Sequence, residues 1–238
     1  MLAQVCGRSA VDGLDRWQEM CHPGNAAAPL LFVSACLPGG DDTHIVAGKA
    51  DVTGQSLGYD VVSSLYKKLG LRMELPSREK EMALYRGEFN ISRLDLARAL
   101  FDIQNQGNGY LFKLVNRVWS RGDNLIYTHS PEKSHEFIRR EAASAVAKIP
   151  PFELTDGDLA VLNETLPNNH GTFCMVFNEK GVAVFVWMGF DNPALLPQGT
   201  RMAALMKRAS YCLAKELHTE ARSILRARSA SERDKKKS

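Results

Sequence analysis

The spacing of apolar residues predicts a pair of helices near the middle of the chain. Ser92 precedes a run in which Leu94, Ala97 and Phe101 recur at helical intervals, and we expect Ser92 to cap this helix. The apolar stripe is widened by Leu96, Leu100 and Ile103. The glycine- and asparagine-rich segment 104–109 then favours a turn. A second helical period follows, with apolar residues at Leu111, Leu114, Val115, Val118 and Trp119. The pattern over 92–121 is typical of a helix-turn-helix, and two ordinary amphipathic helices are the alternative.

Runs of consecutive apolar residues predict strands elsewhere in the chain. Residues 172–177 and 182–188 flank a short polar turn and predict a hairpin whose strands are covered on both faces. Residues 30–36 and 44–47 predict a second pair of strands. Further helices are predicted over 57–69, 77–86, 130–148 and 155–165.

The longest helix is predicted from Thr200 to about Ala227. Its apolar face is expected to comprise Met202, Met206, Ala209, Leu213, Leu217, Ala221 and Ile224. A second face carries cations at intervals of seven residues, namely Arg201, Arg208, Lys215 and Arg222.

These elements predict an α+β fold, with helices packed on a small, mainly antiparallel sheet and a long helix at the C-terminal end. The sheet is expected to form around the 172–188 hairpin and the 30–47 strands. We expect residues 1–25 to be a loosely ordered arm, 26–228 to be a single domain and 229–238 to be a disordered basic tail.

Composition is that of a soluble globular protein, with 45% hydrophobic and 24% charged residues among 238. The formal charge is +3, but residues 222–238 contain seven Lys or Arg and two Asp or Glu, so the rest of the chain carries −2. Basicity is therefore concentrated at the C-terminal end. The sequence contains no apolar run of the roughly 18 residues that span a membrane.

The five cysteines are widely spaced and include no Cys-x-x-Cys pair, which predicts free thiols in a reducing, cytoplasmic compartment. The alternative is export, because residues 33–36, ending in Cys36, fit a lipoprotein cleavage box. Acidic residues at Asp12, Asp15 and Glu19, without a basic cluster, argue against a secretory leader.

Residues 54–58 match the Gly-x-Ser-x-Gly motif of serine hydrolases. The motif places the serine, here Ser56, on a sharp turn between a strand and a helix. His170, with Asp158 or Asp191, would complete the catalytic set. The alternative is a structural one, a helix cap between two glycines.

Metal and cofactor sites are not predicted. Cys21, His22, Cys36 and His44 lie in one region, and His170 precedes Cys174, but neither spacing forms a paired ligand motif. No glycine-rich phosphate or dinucleotide loop occurs. The Arg-Gly-Asp tripeptide at 121–123 is interpreted as a turn.

The first functional hypothesis is a non-enzymatic protein that contacts nucleic-acid phosphates. One surface would carry Lys113, Asn116, Arg117 and Arg121, and the other would carry Arg201, Arg208, Lys215 and Arg222. A serine hydrolase using Ser56 and His170 is the second hypothesis. The third is a protein-interaction or assembly module that binds a protein partner or itself. No membrane partner is predicted.

Overall fold

The structure is a computed structural model that describes residues 20–36, 49–110, 117–122, 124–128, 133–136, 138–149, 152–155, 159–165, 171–177, 183–189 and 200–235. Helices and small antiparallel sheets are packed together in this part of the chain, so the predicted α+β class is confirmed.

The helices of the described residues are named here in chain order. They are α1 (Ala28–Ala35), α2 (Ala50–Leu57), α3 (Tyr59–Lys68), α4 (Glu81–Tyr85), α5 (Arg93–Gln104), α6 (Arg140–Val146) and α7 (Thr200–Lys235). Short 3-10 turns over Gly24–Ala27 and Arg78–Lys80 lead into α1 and α4.

The strands of the described residues form four antiparallel sheets. They are β1 (Met20–Cys21), β2 (Met73–Glu74), β3 (Asn90–Ser92), β4 (Asn108–Tyr110), β5 (Arg117–Trp119), β6 (Leu125–Thr128), β7 (Lys133–Glu136), β8 (Glu153–Thr155), β9 (Leu159–Thr165), β10 (Gly171–Phe177) and β11 (Ala183–Gly189). The largest sheet has the order β11-β10-β9-β8; the others are β1-β3-β2, β4-β7 and β5-β6.

Helix α1 is the centre of the core. Leu30, Leu31, Phe32 and Val33 are at most 1% exposed, and α1 contacts α2, α3, α5 and α6. A helix that other helices surround needs apolar side chains on all sides, and the sequence of α1 provides them. The strand predicted over 30–36 is therefore wrong: a continuous apolar run suits a fully buried helix as well as a buried strand.

The four-stranded sheet has two covered faces, as predicted for its central hairpin. Phe173, Met175 and Phe177 pack into the helical core, whereas Cys174 and Val176 pack against α7. The predicted hairpin is confirmed, since Thr172 pairs with Met188 and Val176 with Val184. Its neighbours in the sheet, however, are β9 and β8.

The second half of the predicted helix-turn-helix is wrong. Ser92 caps α5 as expected, and its Oγ accepts a hydrogen bond from the backbone N–H of Asp95 at 3.1 Å. Beyond the turn, however, the chain forms β4 and β5, which pair with β7 and β6. These strands find partners 6 to 28 residues away in sequence, and a local helical period contains no information on such pairing. Residues 111–116 lie outside the described part of the chain.

Three further predictions differ from the structure in type or extent. The helix predicted over 155–165 is replaced by strand β9, which pairs along its length with β10. Among the described residues of the predicted helix over 130–148, Arg140–Val146 form a helix and Lys133–Glu136 form strand β7. Helix α7 continues to Lys235, beyond its predicted end near Ala227. The strand predicted over 44–47 lies outside the described residues.

Candidate functional site

Ser56 lies in a helix and not on a turn after a strand. The strand expected before it is wrong, because residues Ala50–Leu57 form α2, with Ser56 exposed in the last turn. Gly58 then links α2 directly to α3. The strained strand-to-helix turn that exposes the serine of α/β-hydrolases is thus not the conformation found here.

Both glycines of the Gly-x-Ser-x-Gly match have structural reasons. Gly54 is buried, and a Cβ atom placed on it would collide with Cβ, Cγ and Cδ1 of Tyr85 in α4. Gly58 has φ +81°, in the region that favours glycine. The motif is therefore accounted for by helix packing and a helix–helix junction, without reference to catalysis.

The remaining members of the predicted catalytic set, His170, Asp158 and Asp191, lie outside the described residues. No geometry therefore joins them to Ser56, and their role stays a prediction.

The first predicted group of nucleic-acid contacts does not form a helical face. Arg117 is the first residue of strand β5, and Arg121 is exposed in the turn between β5 and β6. Lys113 and Asn116 lie outside the described residues. The row of amide and basic groups expected in a DNA groove is consequently not formed by Arg117 and Arg121.

The second predicted group is on α7, as expected. Arg201, Arg208 and Lys215 are exposed, and Arg222 is half-buried. The helix contacts β10 and β11 through another side, on which Ser210, Ala214 and His218 are at most 1% exposed.

No group of three metal-ligating side chains is present among the described residues. Cys21, Cys36, Cys174 and Cys212 are free thiols, in agreement with the interpretation from spacing. Burial raises the pKa of Cys174 to about 12 and that of Cys21 to about 11, so neither is poised as a thiolate.

A buried polar contact connects α5 with the sheet. The Arg93 guanidinium lies over the Trp187 ring, and its charge lowers the pKa of Cys21 by less than burial raises it. The sequence pattern predicted neither burial nor a contact for Arg93. A basic residue directly after a helix cap gives no signal of burial, since such positions are usually solvated.

The start of α1 is the place where a helix N-terminus reaches the sheet inside the core. The 3-10 turn Gly24–Ala27 contacts β9, and Gly24, Ala26 and Ala27 are buried. Helix N-termini can stabilise developing negative charge in acyl transfer. Here the turn consists of Gly, Asn and Ala, which provide neither a hydroxyl nor a basic group.

No protein-family model matches the sequence, and no curated protein matches it. Solved structures do resemble the fold. PBPA from Mycobacterium tuberculosis aligns with a TM-score of 0.62 and 15% identity over 87% of this chain and 66% of that chain. The penicillin G acyl-enzyme complex of penicillin-binding protein A from the same organism gives 0.59 and 16% over 86% of this chain and 64% of that chain.

Penicillin-Binding Protein 1A from Haemophilus influenzae also aligns, with a TM-score of 0.57 and 12% identity over 80% of this chain and 42% of that chain. The chain thus spans about two thirds or less of the length of these proteins. At such low identity the likeness establishes the fold. None of the described helices is both long and apolar enough to cross a bilayer.

The nucleic-acid hypothesis is wrong on these findings. The helix-turn-helix on which it depended is not formed, and the structures with this fold are penicillin-binding proteins, some of them solved as acyl-enzyme complexes. Among the sequence hypotheses, the serine-hydrolase alternative is closer to these neighbours. The chain has the fold of the penicillin-binding proteins.

Proposed function

We propose that the chain is a non-acylating counterpart of penicillin-binding proteins, a domain that keeps their fold and works by binding instead of acyl transfer. The observation that carries the proposal concerns three catalytic motifs, two of which do not occur in the sequence. Enzymes of this type use a Ser-x-x-Lys pair together with Ser-Asp-Asn and Lys-Thr-Gly elements. Neither Lys-Thr-Gly nor any Ser-x-Asn occurs in the 238 residues.

The Ser-x-x-Lys spacing occurs three times, and the two matches within the described part of the chain lie on the surface. Ser64 and Lys67 are both exposed on α3, and Ser77 and Lys80 are both exposed around the 3-10 turn before α4. The third match begins at Ser130, outside the described residues. A lysine serves as a base when burial favours its neutral form, and a serine nucleophile needs such a base within reach. Exposed pairs do not meet these conditions.

The buried start of α1 supports the same conclusion. The 3-10 turn before it reaches β9 with Gly24, Asn25, Ala26 and Ala27, and none of these residues has a nucleophilic side chain.

A second candidate function is serine acyl transfer, favoured by the acyl-enzyme complexes among the structural neighbours. The residues available for it are Ser56, from the Gly-x-Ser-x-Gly match, and Ser64 with Lys67. The candidate requires that one of these serines becomes shielded from solvent next to a base when ligand binds.

Covalent labelling distinguishes the two functions. The full chain is incubated with a fluorescent penicillin and, separately, with a fluorophosphonate probe, and both samples are run on denaturing gels beside a penicillin-binding protein. We expect no labelled band from this chain. A labelled band that disappears in Ser56→Ala or Ser64→Ala, and persists in the exposed control Ser223→Ala, would establish acyl transfer instead.

A further inference from the structure

Helix α7 exposes an apolar strip that its own domain does not cover. Met202, Leu205 and Leu213 are 44%, 61% and 47% exposed, and Ala209 is exposed between them. These four residues, spaced three, four and four apart, are called the outer stripe. Large apolar side chains in a row on a surface helix mark an interaction surface.

The helix packs on the sheet with a less apolar side. Ser210, Ala214 and His218 face the sheet. Ser210 Oγ and His218 Nε2 are buried, and neither has a hydrogen-bond partner among the residues that the structure describes. At 100° per residue, the outer stripe lies roughly 130° around the helix from this side. Met202, Ala209 and Leu213 belong to the apolar face predicted for this helix. Their exposure, with that of Leu205, means that the stripe is available to something outside the domain.

Cations follow the outer stripe along one side. Arg201, Arg208 and Lys215 are exposed and lie on the neighbouring strip of the helix. Residues 200–215 contain four Lys or Arg and no Asp or Glu. Beyond Leu213 the line of the stripe continues as Glu216 and Glu220, so the basic and apolar surface comprises the first four turns, about 22 Å.

We propose that this surface of α7 binds an anionic lipid membrane, lying in the plane of the headgroups. An amphipathic helix of this kind places its apolar side chains at the boundary between headgroups and acyl chains, while Lys and Arg reach the lipid phosphates. The described helices cannot span a bilayer, so the contact is peripheral.

Charge favours a lipid surface over a second copy of α7. A flat anionic surface attracts a row of cations wherever the helix lies on it, because its charge has the same sign everywhere. An antiparallel copy of α7 would instead bring Arg208 close to its own equivalent and Lys215 close to Arg201, and like charges repel. The inference concerns α7 alone and is independent of the proposed lack of acylation.

Vesicle sedimentation of the full chain tests the proposal. The vesicles are phosphatidylcholine alone or phosphatidylcholine with about a third phosphatidylglycerol, at low and high salt. We expect binding to the anionic vesicles alone, weakened by salt. Leu205→Gln with Leu213→Gln should reduce binding at least tenfold, and Arg201→Gln, Arg208→Gln and Lys215→Gln together roughly 100-fold.

Matched controls separate the surface from general effects. Thr219→Gln changes an exposed residue of α7 beyond the proposed surface, and Lys80→Gln, Arg86→Gln and Lys148→Gln remove exposed cations elsewhere. These variants should bind like the parent chain, and circular dichroism confirms that every variant is folded. Equal binding to neutral vesicles, or no binding to any vesicle, would overturn the proposal. Binding that survives the leucine changes would also overturn it, because a surface that recognises charge alone, as in binding to a soluble polyanion such as heparin, does not need the apolar side chains. If the parent chain is a dimer in solution and the leucine changes make it a monomer, the outer stripe is a self-association surface instead.

Discussion

The guanidinium carbon of Arg93 lies 3.8 Å from the centroid of the Trp187 ring, joining the first turn of α5 to strand β11. Arg93 is only 9% exposed, so the cation–π contact is made largely out of water, where it is strongest. This pair connects the helical core with one edge of the four-stranded sheet.

Replacing the indole should weaken that connection. Trp187→Leu removes both the aromatic face and part of the packing, and we expect the free energy of unfolding to fall by about 2–4 kcal/mol. Trp187→Phe keeps a smaller ring and should cost about 1 kcal/mol. Urea unfolding followed by circular dichroism measures both. Equal losses in the two variants would show that the contact with Arg93 contributes nothing.

The Gly54–Tyr85 contact predicts a reversed effect of a helix substitution. Gly to Ala inside a helix normally stabilises by about 0.5–1 kcal/mol. In α2 the added methyl group meets the Tyr85 ring, so Gly54→Ala should destabilise by about 1–3 kcal/mol. The control is Gly122→Ala, where a Cβ has only ordinary contacts, 3.7 Å or more away. A more stable Gly54→Ala variant would contradict the packing of α2 on α4.

His218 predicts a loss of stability in mild acid. Burial, and to a smaller extent the charge of Arg222, lowers its pKa below 6.5 in the folded chain. The unfolded chain therefore binds the proton at higher pH. The stability that neutral His218 gives to the folded chain is fully present above about pH 6.5. It is lost as the pH falls through the pKa of His218 in the folded chain.

Urea unfolding between pH 7.5 and 5.5 measures this contribution. His218→Leu should show a flatter dependence of unfolding free energy on pH than the parent chain. The exposed His22, changed to Gln, serves as the control and should keep the parent slope. An identical slope in all three proteins would mean that His218 is not buried as neutral imidazole.

Thiol accessibility should follow the burial of each cysteine. Cys212 is exposed on α7, whereas Cys174 is buried and its pKa is raised to about 12. Brief treatment of the native chain with iodoacetamide near pH 8, followed by peptide mass mapping, should modify Cys212 and leave Cys174 unmodified. Equal modification of the two under native conditions would contradict the packing of α7 on β10.

Local sequence signals predicted the elements whose causes are local. The Ser92 cap, the turn after α3 at Gly70 and the hairpin β10–β11 depend on neighbouring residues, and all three occur. The apolar run in the hairpin also indicated two covered faces correctly, because helices pack on one side and α7 on the other.

Elements determined by distant partners were missed. Residues 155–165 have a cap-like start, yet β9 forms because β10 pairs along it. Residues 30–35 are helical because four helices surround them. The candidate site failed for a related reason: the Gly-x-Ser-x-Gly match arises from the contact of Gly54 with Tyr85, 31 positions later in the sequence. Spacing alone cannot separate a packing glycine from a catalytic one.

The most direct test of the central claim is the intact mass of the chain after prolonged incubation with excess penicillin G. The sequence contains neither Lys-Thr-Gly nor Ser-x-Asn, and the Ser64–Lys67 pair is exposed, so we expect the mass to stay unchanged. A penicillin-binding protein treated alongside should gain the mass of one ligand. A stoichiometric mass increase of this chain, mapped by peptide analysis to a serine, would contradict the account and establish an acyl-enzyme.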